Sequence, residues 1–201
     1  CMLSAASCNK WLCDEILKTK DYPGEQKDIT PEKLGNNRVY FLPYLMGERS
    51  PINDTNARAT FLGMSMDTTR SDMVQAVLEG VAFAIRDSFE VAKSLGIQIQ
   101  RSKVCGGGAK SPLWRQIFAN VLNLPLDIPQ TEEGPGYGGA MLAMVGCGLY
   151  PSVKDCADAL VSVRETVLPD PAIAARYEKR YRNFKEIYPA LKPLFAKLQE
   201  Q

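Results

Sequence analysis

The spacing of apolar residues along the chain predicts helices that alternate with short strands. Apolar residues that recur every three or four positions indicate a helix with one buried face, and short apolar runs between turn residues are typical of strands. The predicted helices cover residues 4–18, 70–95, 112–122, 140–147 and 172–187, and the predicted strands cover 39–45, 59–66, 104–105 and 126–128. This alternation indicates an α/β fold in which helices cover a sheet.

The long central helix has defined ends and one unusual position. Thr69 and Asp72 match a capping box, and Gly96 follows the last turn. Gly80 lies in the middle of the helix, where it costs about 1 kcal/mol relative to alanine, so we expect another element to pack closely against it. Glu79 beside it is either a solvated charge or a carboxylate that faces a ligand, and the apolar spacing does not decide between the two.

Polar residues on the outer faces of the other helices are expected to lie in solvent. They are Arg115, Gln116 and Asn120 in the helix at 112–122, and Arg176, Lys179, Arg180, Arg182 and Lys185 in the helix at 172–187. The tail, residues 189–201, is expected to pack at the periphery. Glu48 and Arg49 follow a buried strand, and we expect no more than an exposed loop ion pair there, which contributes little to stability.

The feature with the most chemistry is the turn between the strand at 104–105 and the helix that begins at Pro112. It contains three glycines, residues 106–108, and Ser111 is a suitable N-cap. Glycine lets a ligand approach the backbone, and free N–H groups together with the helix dipole favour anions. Three glycines are equally consistent with a phosphate or nucleotide platform and with a tight turn that needs positive φ.

Two common nucleotide motifs are excluded at this turn. A dinucleotide fingerprint requires a third glycine where Ser111 stands, and a P-loop requires glycine directly before a Lys-Ser pair, where this chain has Ala109. A dehydrogenase is therefore disfavoured, and NADH binding in the micromolar range would be needed to revive it.

Two further segments are candidates for ligand contact. In the first predicted helix, Ala6 and Ser7 would permit backbone approach and Lys10 would supply positive charge, while a plain amphipathic helix with a solvated lysine is the simpler interpretation. The glycine-rich segment Thr131–Gly139 is either a second ligand contact or a flexible turn. The helix after it is rich in glycine and alanine and is suited to close backbone packing against a neighbour.

Composition and charge narrow the class of function. The 201 residues include 24 Lys and Arg and 23 Asp and Glu, so the net charge of +1 gives no reason to expect nucleic acid as a partner. The six cysteines have no CxxC spacing and histidine is absent, which argues against a zinc site and for reduced thiols. With no apolar run of about 18 residues and no recognisable signal peptide, we expect a cytoplasmic protein and no membrane partner. The chain opens on Cys1 within an apolar segment, so we expect it to be a fragment.

Longer patterns make the sequence similar to a known family. Residues 59–64, followed after seven residues by Asp72–Glu79, fit the second signature of the FGGY carbohydrate kinases at every specified position. Phe41–Pro51 resembles the FLPYLxGERxP segment of the xylulokinases in that family, and Cys105–Gln116 is similar to their adenine-nucleotide segment. Nearly the whole chain thus resembles the C-terminal domain of these kinases. Ile52 departs from the pattern, because related xylulokinases often have histidine there.

The resemblance implies a two-domain sugar kinase with an actin-like, ribonuclease-H-type fold, of which residues 1–201 form the C-terminal nucleotide-binding domain. ATP, Mg²⁺ and the sugar would lie between this domain and an N-terminal domain that this chain lacks. By motif position, the resemblance implies that the adenosine part of ATP lies against Gly107, Gly108, Ala109, Ser111 and Pro112. It implies that the opposite side of the nucleotide lies against Ala6, Ser7 and Lys10. The catalytic aspartate and most of the sugar pocket are expected in the N-terminal domain, and Glu79 and Gly80 receive no chemical role.

The activity implied by the resemblance is transfer of the ATP γ-phosphoryl group to a sugar hydroxyl. D-xylulose, giving D-xylulose 5-phosphate, is expected first. The alternatives are a kinase of the same family for ribulose, gluconate or a sugar alcohol, and a non-catalytic actin-like module that binds nucleotide. The expected partners are ATP, Mg²⁺, a small sugar and the N-terminal domain, and a homodimer is left open. The fragment alone is expected to bind ATP weakly and to phosphorylate nothing.

Overall fold

The computed structural model describes residues 1–131 and 134–199. It contains seven α-helices and five strands within those residues. In chain order they are α1 (Ala6–Trp11), which continues into a π-helical turn (Leu12–Ile16), α2 (Tyr22–Gln26), β1 (Tyr40–Leu42), β2 (Thr60–Leu62), α3 (Arg70–Ser94), β3 (Ser102–Lys103), a 3₁₀ helix (Gly107–Lys110), α4 (Pro112–Leu122), β4 (Leu126–Pro129), α5 (Gly134–Gly146), α6 (Val153–Leu160), β5 (Val163–Val167) and α7 (Pro171–Gln199). The predicted alternation of helices and strands is confirmed.

The strands form two small sheets. β1 and β2 are antiparallel with Phe41 opposite Phe61, while β4 is the middle strand of a second sheet, parallel to β3 and antiparallel to β5. β1 and β2 are shorter than predicted. Pro43 ends β1 because proline has no N–H to donate to the ladder, and Gly63 turns the chain after β2 with a φ of +86°. The spacing of apolar residues did not predict β5.

The fold is built around α3. The predicted capping box is present, because the Thr69 side chain accepts from the Asp72 N–H and the Asp72 carboxylate accepts from the Thr69 N–H. Eleven consecutive residues of α3, from Val74 to Ala84, are buried. A Cβ atom at Gly80 would lie 2.1 Å from the carbonyl oxygen of Phe41, so only glycine lets β1 pack this closely. The expected close contact at Gly80 is thereby confirmed.

Neither interpretation of Glu79 is correct. Its side chain is fully buried and accepts hydrogen bonds from Arg180 Nη2 (2.9 Å), the Tyr177 hydroxyl (2.9 Å) and Gln75 Nε2 (2.7 Å). Burial raises the pKa of Glu79, while the positive charge of Arg180 acts in the opposite direction. Arg180 was expected in solvent and is only 6% exposed, since α7 lies along α3 and turns this position toward the core.

Two residues of α4 also differ from the expectation that they face solvent. Arg115 is buried and donates to Glu165 of β5 (2.8 Å), and Asn120 is buried and accepts from the Asp170 N–H (2.7 Å). Gln116 is only partly buried and donates to Asn120 (3.2 Å). β5 and the start of α7 cover this face of α4, so residues that complete the outer face of an isolated helix become internal.

Glu48 does not form the expected exposed ion pair with Arg49. Its carboxylate is 3% exposed and accepts hydrogen bonds from two backbone N–H groups, those of Leu3 (2.9 Å) and Arg49 (2.8 Å). The side chain of Glu48 therefore fixes the first residues of the chain to the loop after β1. Cys8 lies close to the same carboxylate, and burial together with Glu48 raises the pKa of its thiol to about 12.

The C-terminal part of the chain also departs from the prediction. α7 continues through Pro189 and Pro193, where the sequence predicted a separate tail, and Phe195 is buried against the core. α5 begins at Gly134, so most of the predicted loop Thr131–Gly139 is helical, while Glu132 and Glu133 of that loop lie outside the described residues. Within 1–131 and 134–199, every helix is too short or too polar to cross a membrane.

Candidate functional site

A cleft of about 790 Å³ opens between α1, α2 and the loop before α4, within the range typical of small-molecule sites. We call Gly106 together with the 3₁₀ helix Gly107–Lys110 the glycine turn. The cleft is lined by Ala6, Ser7, Asn9 and Lys10 of α1, by Tyr22, Pro23, Gln26 and Lys27 of α2 and its C-cap, by Gly107, Gly108 and Lys110 of the glycine turn, and by Ser111, Pro112, Leu113 and Trp114 at the start of α4. Of the eight residues carried over by motif position, this cleft brings together seven and leaves out Ala109.

The glycine turn leaves its backbone open to the cleft. Gly106 has a φ of +85°, which favours glycine, and a Cβ atom at Gly107 would meet no atom within 4 Å. Among the described residues, the N–H groups of Gly107 and Gly108 have no hydrogen-bond acceptor. By contrast, the Ala109 N–H donates to the Gly106 carbonyl (3.1 Å) and its side chain is buried behind the turn. Two free N–H donors beside open space are suited to an anionic ligand.

The start of α4 is anchored to the core. Ser111 is the N-cap, and its Oγ accepts from the Trp114 N–H (3.1 Å), as predicted from the Ser-Pro pair. The indole Nε1 of Trp114 donates to the Leu78 carbonyl of α3 (2.9 Å). A Cβ atom at Gly108 would lie 3.2 Å from the Trp114 ring, a tight contact, so the turn packs closely on this ring. The hydrogen bonds of Ser111 and Trp114 therefore fix the position of the glycine turn relative to α3.

Lys10 lies at the edge of the cleft, but its ammonium group is not free. It pairs with the Asp14 carboxylate, which also pairs with Lys20 (2.7 Å) and accepts from the Tyr22 hydroxyl (2.7 Å). Hydrogen bonds from Lys10 and Lys20 hold the pKa of Asp14 well below its usual range, and the bond to Asp14 raises the pKa of Lys10. Lys10 therefore stays protonated at neutral pH, and Asp14 ties it to α2.

Sequence reasoning named no residue of α2 as a candidate for ligand contact. The signal was present in Asp21, which caps the helix by accepting from the Gly24 N–H (2.9 Å), and in Pro23 inside the first turn. Such a short helix has little apolar periodicity, so only the tertiary structure shows that it forms one wall of the cleft.

The charged residues that line the described part of the cleft are all lysines, one of which, Lys10, is paired with Asp14. They are Lys10, Lys27 and Lys110, and no Asp or Glu lines the cleft among the described residues. Much of the remaining lining is apolar, from Pro23, Pro112 and Trp114. A ligand with one flat apolar part and one strongly anionic part fits this arrangement. Within 1–131 and 134–199, no cluster of three Asp, Glu or Cys residues is arranged to hold a metal ion.

Comparison with known proteins decides the family. A model of the C-terminal domain of the FGGY family of carbohydrate kinases matches residues 2–147. The chain belongs to this family. The FGGY signature at residues 59–64 and 72–79 falls on β2 and on the first half of α3, and it ends at the buried Glu79, directly before Gly80.

Individual FGGY relatives support this assignment. The xylulose kinase of Staphylococcus xylosus is 33% identical over 186 residues, which are 92% of this chain and 38% of that protein. The crystal structure of xylulose kinase from Rhodospirillum rubrum has a TM-score of 0.82 and 32% identity over 98% of this chain and 40% of that one. A gluconate kinase from Lactobacillus acidophilus has a TM-score of 0.85 and 27% identity, again over 98% and 40%. The expected actin-like fold is thus confirmed, and the chain spans about 40% of the length of these relatives.

Proposed function

We propose that this chain is the nucleotide-binding C-terminal domain of a two-domain kinase that transfers the γ-phosphoryl group of ATP to a sugar hydroxyl. The proposed sugar is D-xylulose and the product D-xylulose 5-phosphate, because the Staphylococcus xylosus and Rhodospirillum rubrum relatives are xylulose kinases. The observation that carries the proposal is one cleft that gathers the residues carried over by motif position: Ala6, Ser7, Lys10, Gly107, Gly108, Ser111 and Pro112.

The chemistry of the cleft suits ATP. The free N–H groups of Gly107 and Gly108 would donate to phosphate oxygens, and the Lys27 ammonium group would contribute positive charge beside the phosphates. Phosphoryl transfer also needs a metal ion and a carboxylate that accepts the sugar proton. Since no carboxylate lines the cleft in the described chain, we propose that Mg²⁺ is held through the ATP phosphates and that the catalytic aspartate lies in an N-terminal domain.

An N-terminal domain as partner has support from α5. This helix has thirteen residues, none of them charged, and none is buried among the described residues. Leu142 is 60% exposed, and a Cβ atom at Gly138 or Gly139 would meet no atom within 4 Å. Such an apolar, glycine-rich surface is suited to close contact with another domain. The free cysteines in the described chain are consistent with the proposed cytoplasmic location.

The gluconate kinase of Lactobacillus acidophilus favours a second candidate substrate, since its fold matches as closely as that of the xylulose kinases. The substrate is tested by measuring the rate of phosphorylation of D-xylulose, D-ribulose, D-gluconate and glycerol. The measurement uses the full-length polypeptide, which contains this domain together with the proposed N-terminal domain. We expect the highest kcat/KM with D-xylulose. A higher value with gluconate would replace the proposed sugar, and no phosphorylation of any sugar would favour a non-catalytic module.

The role of this domain is tested by titration calorimetry of the 201-residue chain with ATP–Mg²⁺. We expect weak binding and no formation of D-xylulose 5-phosphate, because the catalytic carboxylate would be absent. Phosphorylation of D-xylulose by the isolated chain would contradict the proposed division of labour between the domains. Failure of the full-length polypeptide to bind ATP would contradict the proposed function itself.

A further inference from the structure

The α2 wall of the cleft is stabilised by its own N-cap and by hydrogen bonds to two neighbouring segments. Its N-cap, Asp21, accepts from the Gly24 N–H, and the Tyr22 hydroxyl donates to Asp14. Glu25 accepts two hydrogen bonds from the guanidinium of Arg70, at 2.6 Å and 2.5 Å, which tie α2 to the first turn of α3. The next residue, Gln26, is therefore presented to the cleft from a fixed backbone.

A hydrogen bond to Ser111 fixes the orientation of the Gln26 side chain. The Ser111 Oγ accepts from the Trp114 N–H, and its single proton is donated to Gln26 Oε1 at 2.6 Å. The amide oxygen of Gln26 is thus occupied. Its Nε2 group, with two N–H donors, has no acceptor among the described residues, although Gln26 lines the cleft. At this point the cleft offers a ligand a donor in a fixed position and no acceptor from Gln26.

The surroundings of this donor suit a flat heterocycle. Pro23, one turn earlier in α2, and Pro112, next to Ser111, both line the same cleft as Gln26 and contribute apolar surface to it. Resting on the proposed binding of ATP, we propose that Gln26 is a base-recognition residue whose Nε2 donates a hydrogen bond to a ring nitrogen of the adenine. The three ring nitrogens N1, N3 and N7 of adenine are all acceptors, so a donor-only group can pair with one of them.

The test uses ATP analogues in which one ring nitrogen is replaced by C–H: 1-deaza-ATP, 3-deaza-ATP and 7-deaza-ATP. Titration calorimetry with the Mg²⁺ complexes is carried out on the full-length polypeptide. The Gln26→Glu variant keeps an acceptor for the Ser111 hydroxyl but has no N–H to donate. Lys27→Gln is the matched control, because it also makes the rim more negative by one charge while leaving Gln26 intact. A Gln26→Met variant, checked for an unchanged thermal midpoint, provides a second variant without a donor.

We expect the wild type to bind one of the three analogues about five-fold more weakly than ATP, the effect of one neutral hydrogen bond. In Gln26→Glu and Gln26→Met this difference in affinity should disappear. In Lys27→Gln the difference should persist, although the affinity for ATP and for all three analogues is lower. Equal affinity of the wild type for all analogues, or an unchanged difference in both Gln26 variants, overturns the inference while ATP binding stands. If Gln26→Met weakens inorganic tripolyphosphate as much as ATP, Gln26 contacts phosphate and the inference is wrong. No binding of ATP by the wild type refutes the proposed function as well.

Discussion

Replacing Arg180 by methionine should strongly destabilise this domain, because it leaves the Glu79 carboxylate buried without its counter-ion. Arg180 Nη2 lies 2.9 Å from Glu79 Oε2 and also 2.9 Å from the Val39 carbonyl, and its guanidinium stacks 4.3 Å from the centre of the Tyr40 ring. The Glu79 side chain has no exposed surface and that of Arg180 has 7%. Both charges are therefore screened very little by water.

The magnitude follows from this burial. Removing one partner of a buried ion pair costs about 3 to 5 kcal/mol, whereas an exposed pair contributes about 0 to 1 kcal/mol. For a chain of this size, the loss corresponds to a decrease of about 10 °C in the midpoint of thermal unfolding. The matched control is Arg182→Met on the same helix, whose pair with Glu178 (3.6 Å) is 73% exposed on the arginine side. This control should change the midpoint by less than about 2 °C.

Circular dichroism during thermal and urea unfolding measures both variants at pH 7. The double variant Glu79→Gln/Arg180→Met should regain about 2 kcal/mol of the free energy of unfolding lost in Arg180→Met, because no uncompensated charge remains. A loss in Arg180→Met no larger than that in Arg182→Met would refute the reasoning. The same conclusion would follow if the double variant were less stable than Arg180→Met.

Three further predictions concern the cleft and the pH dependence of stability. Gly107→Val should weaken ATP binding at least ten-fold with little change in the thermal midpoint, because its Cβ meets open space. Gly108→Val should instead lower the free energy of unfolding by about 1 to 3 kcal/mol through overpacking on Trp114. Calorimetry and thermal unfolding of both variants separate the two effects, and equal losses of stability would contradict this prediction. Ser111→Ala should lower the free energy of unfolding by about 1 kcal/mol through loss of the N-cap, measured by urea unfolding, with no loss contradicting the cap. Burial raises the pKa of Asp87 from 3.8 to about 6, so the folded state retains a proton that the unfolded state has released. The contribution of Asp87 to the free energy of unfolding, about 2 to 3 kcal/mol, is fully present below about pH 4 and is lost as the pH rises through 6. Asp87→Asn should remove that decline. An unchanged pH profile of urea unfolding in this variant would contradict the assignment to Asp87.

The sequence by itself determined the parts of this fold that depend on local signals. The capping box at Thr69, the Ser111–Pro112 helix start and the period of α3 were all predicted correctly, because each depends on residues within one or two turns of one another. The close contact at Gly80 was also predicted, since glycine in a helix interior needs a packing reason. The family was identified from long patterns along the chain, which need no three-dimensional information.

The tertiary structure decided which polar residues are internal. Three polar residues that were expected in solvent are buried: Arg115, Asn120 and Arg180. Glu79, whose burial the apolar spacing could not decide, is buried as well. The reason is that β5 and α7 cover these helix faces. Periodicity describes one helix and its single buried stripe, so it cannot anticipate a second element packing on the other side. β5 was missed for a related reason, because it pairs with β4, whose residues lie far away in sequence.

The same division applies to the candidate site. The family resemblance placed the glycine turn and the first helix on two sides of one nucleotide, and the tertiary structure shows them lining one cleft and adds α2 as a further wall. The bond from Ser111 to Gln26, 85 positions apart, could not be predicted from either segment. Local hydrogen bonds and apolar spacing determine the individual helices and strands. The pairing of distant polar groups depends instead on how those helices and strands pack. In this cleft, the pairing of Ser111 with Gln26 fixes the wall formed by α2 and orients the Gln26 donor.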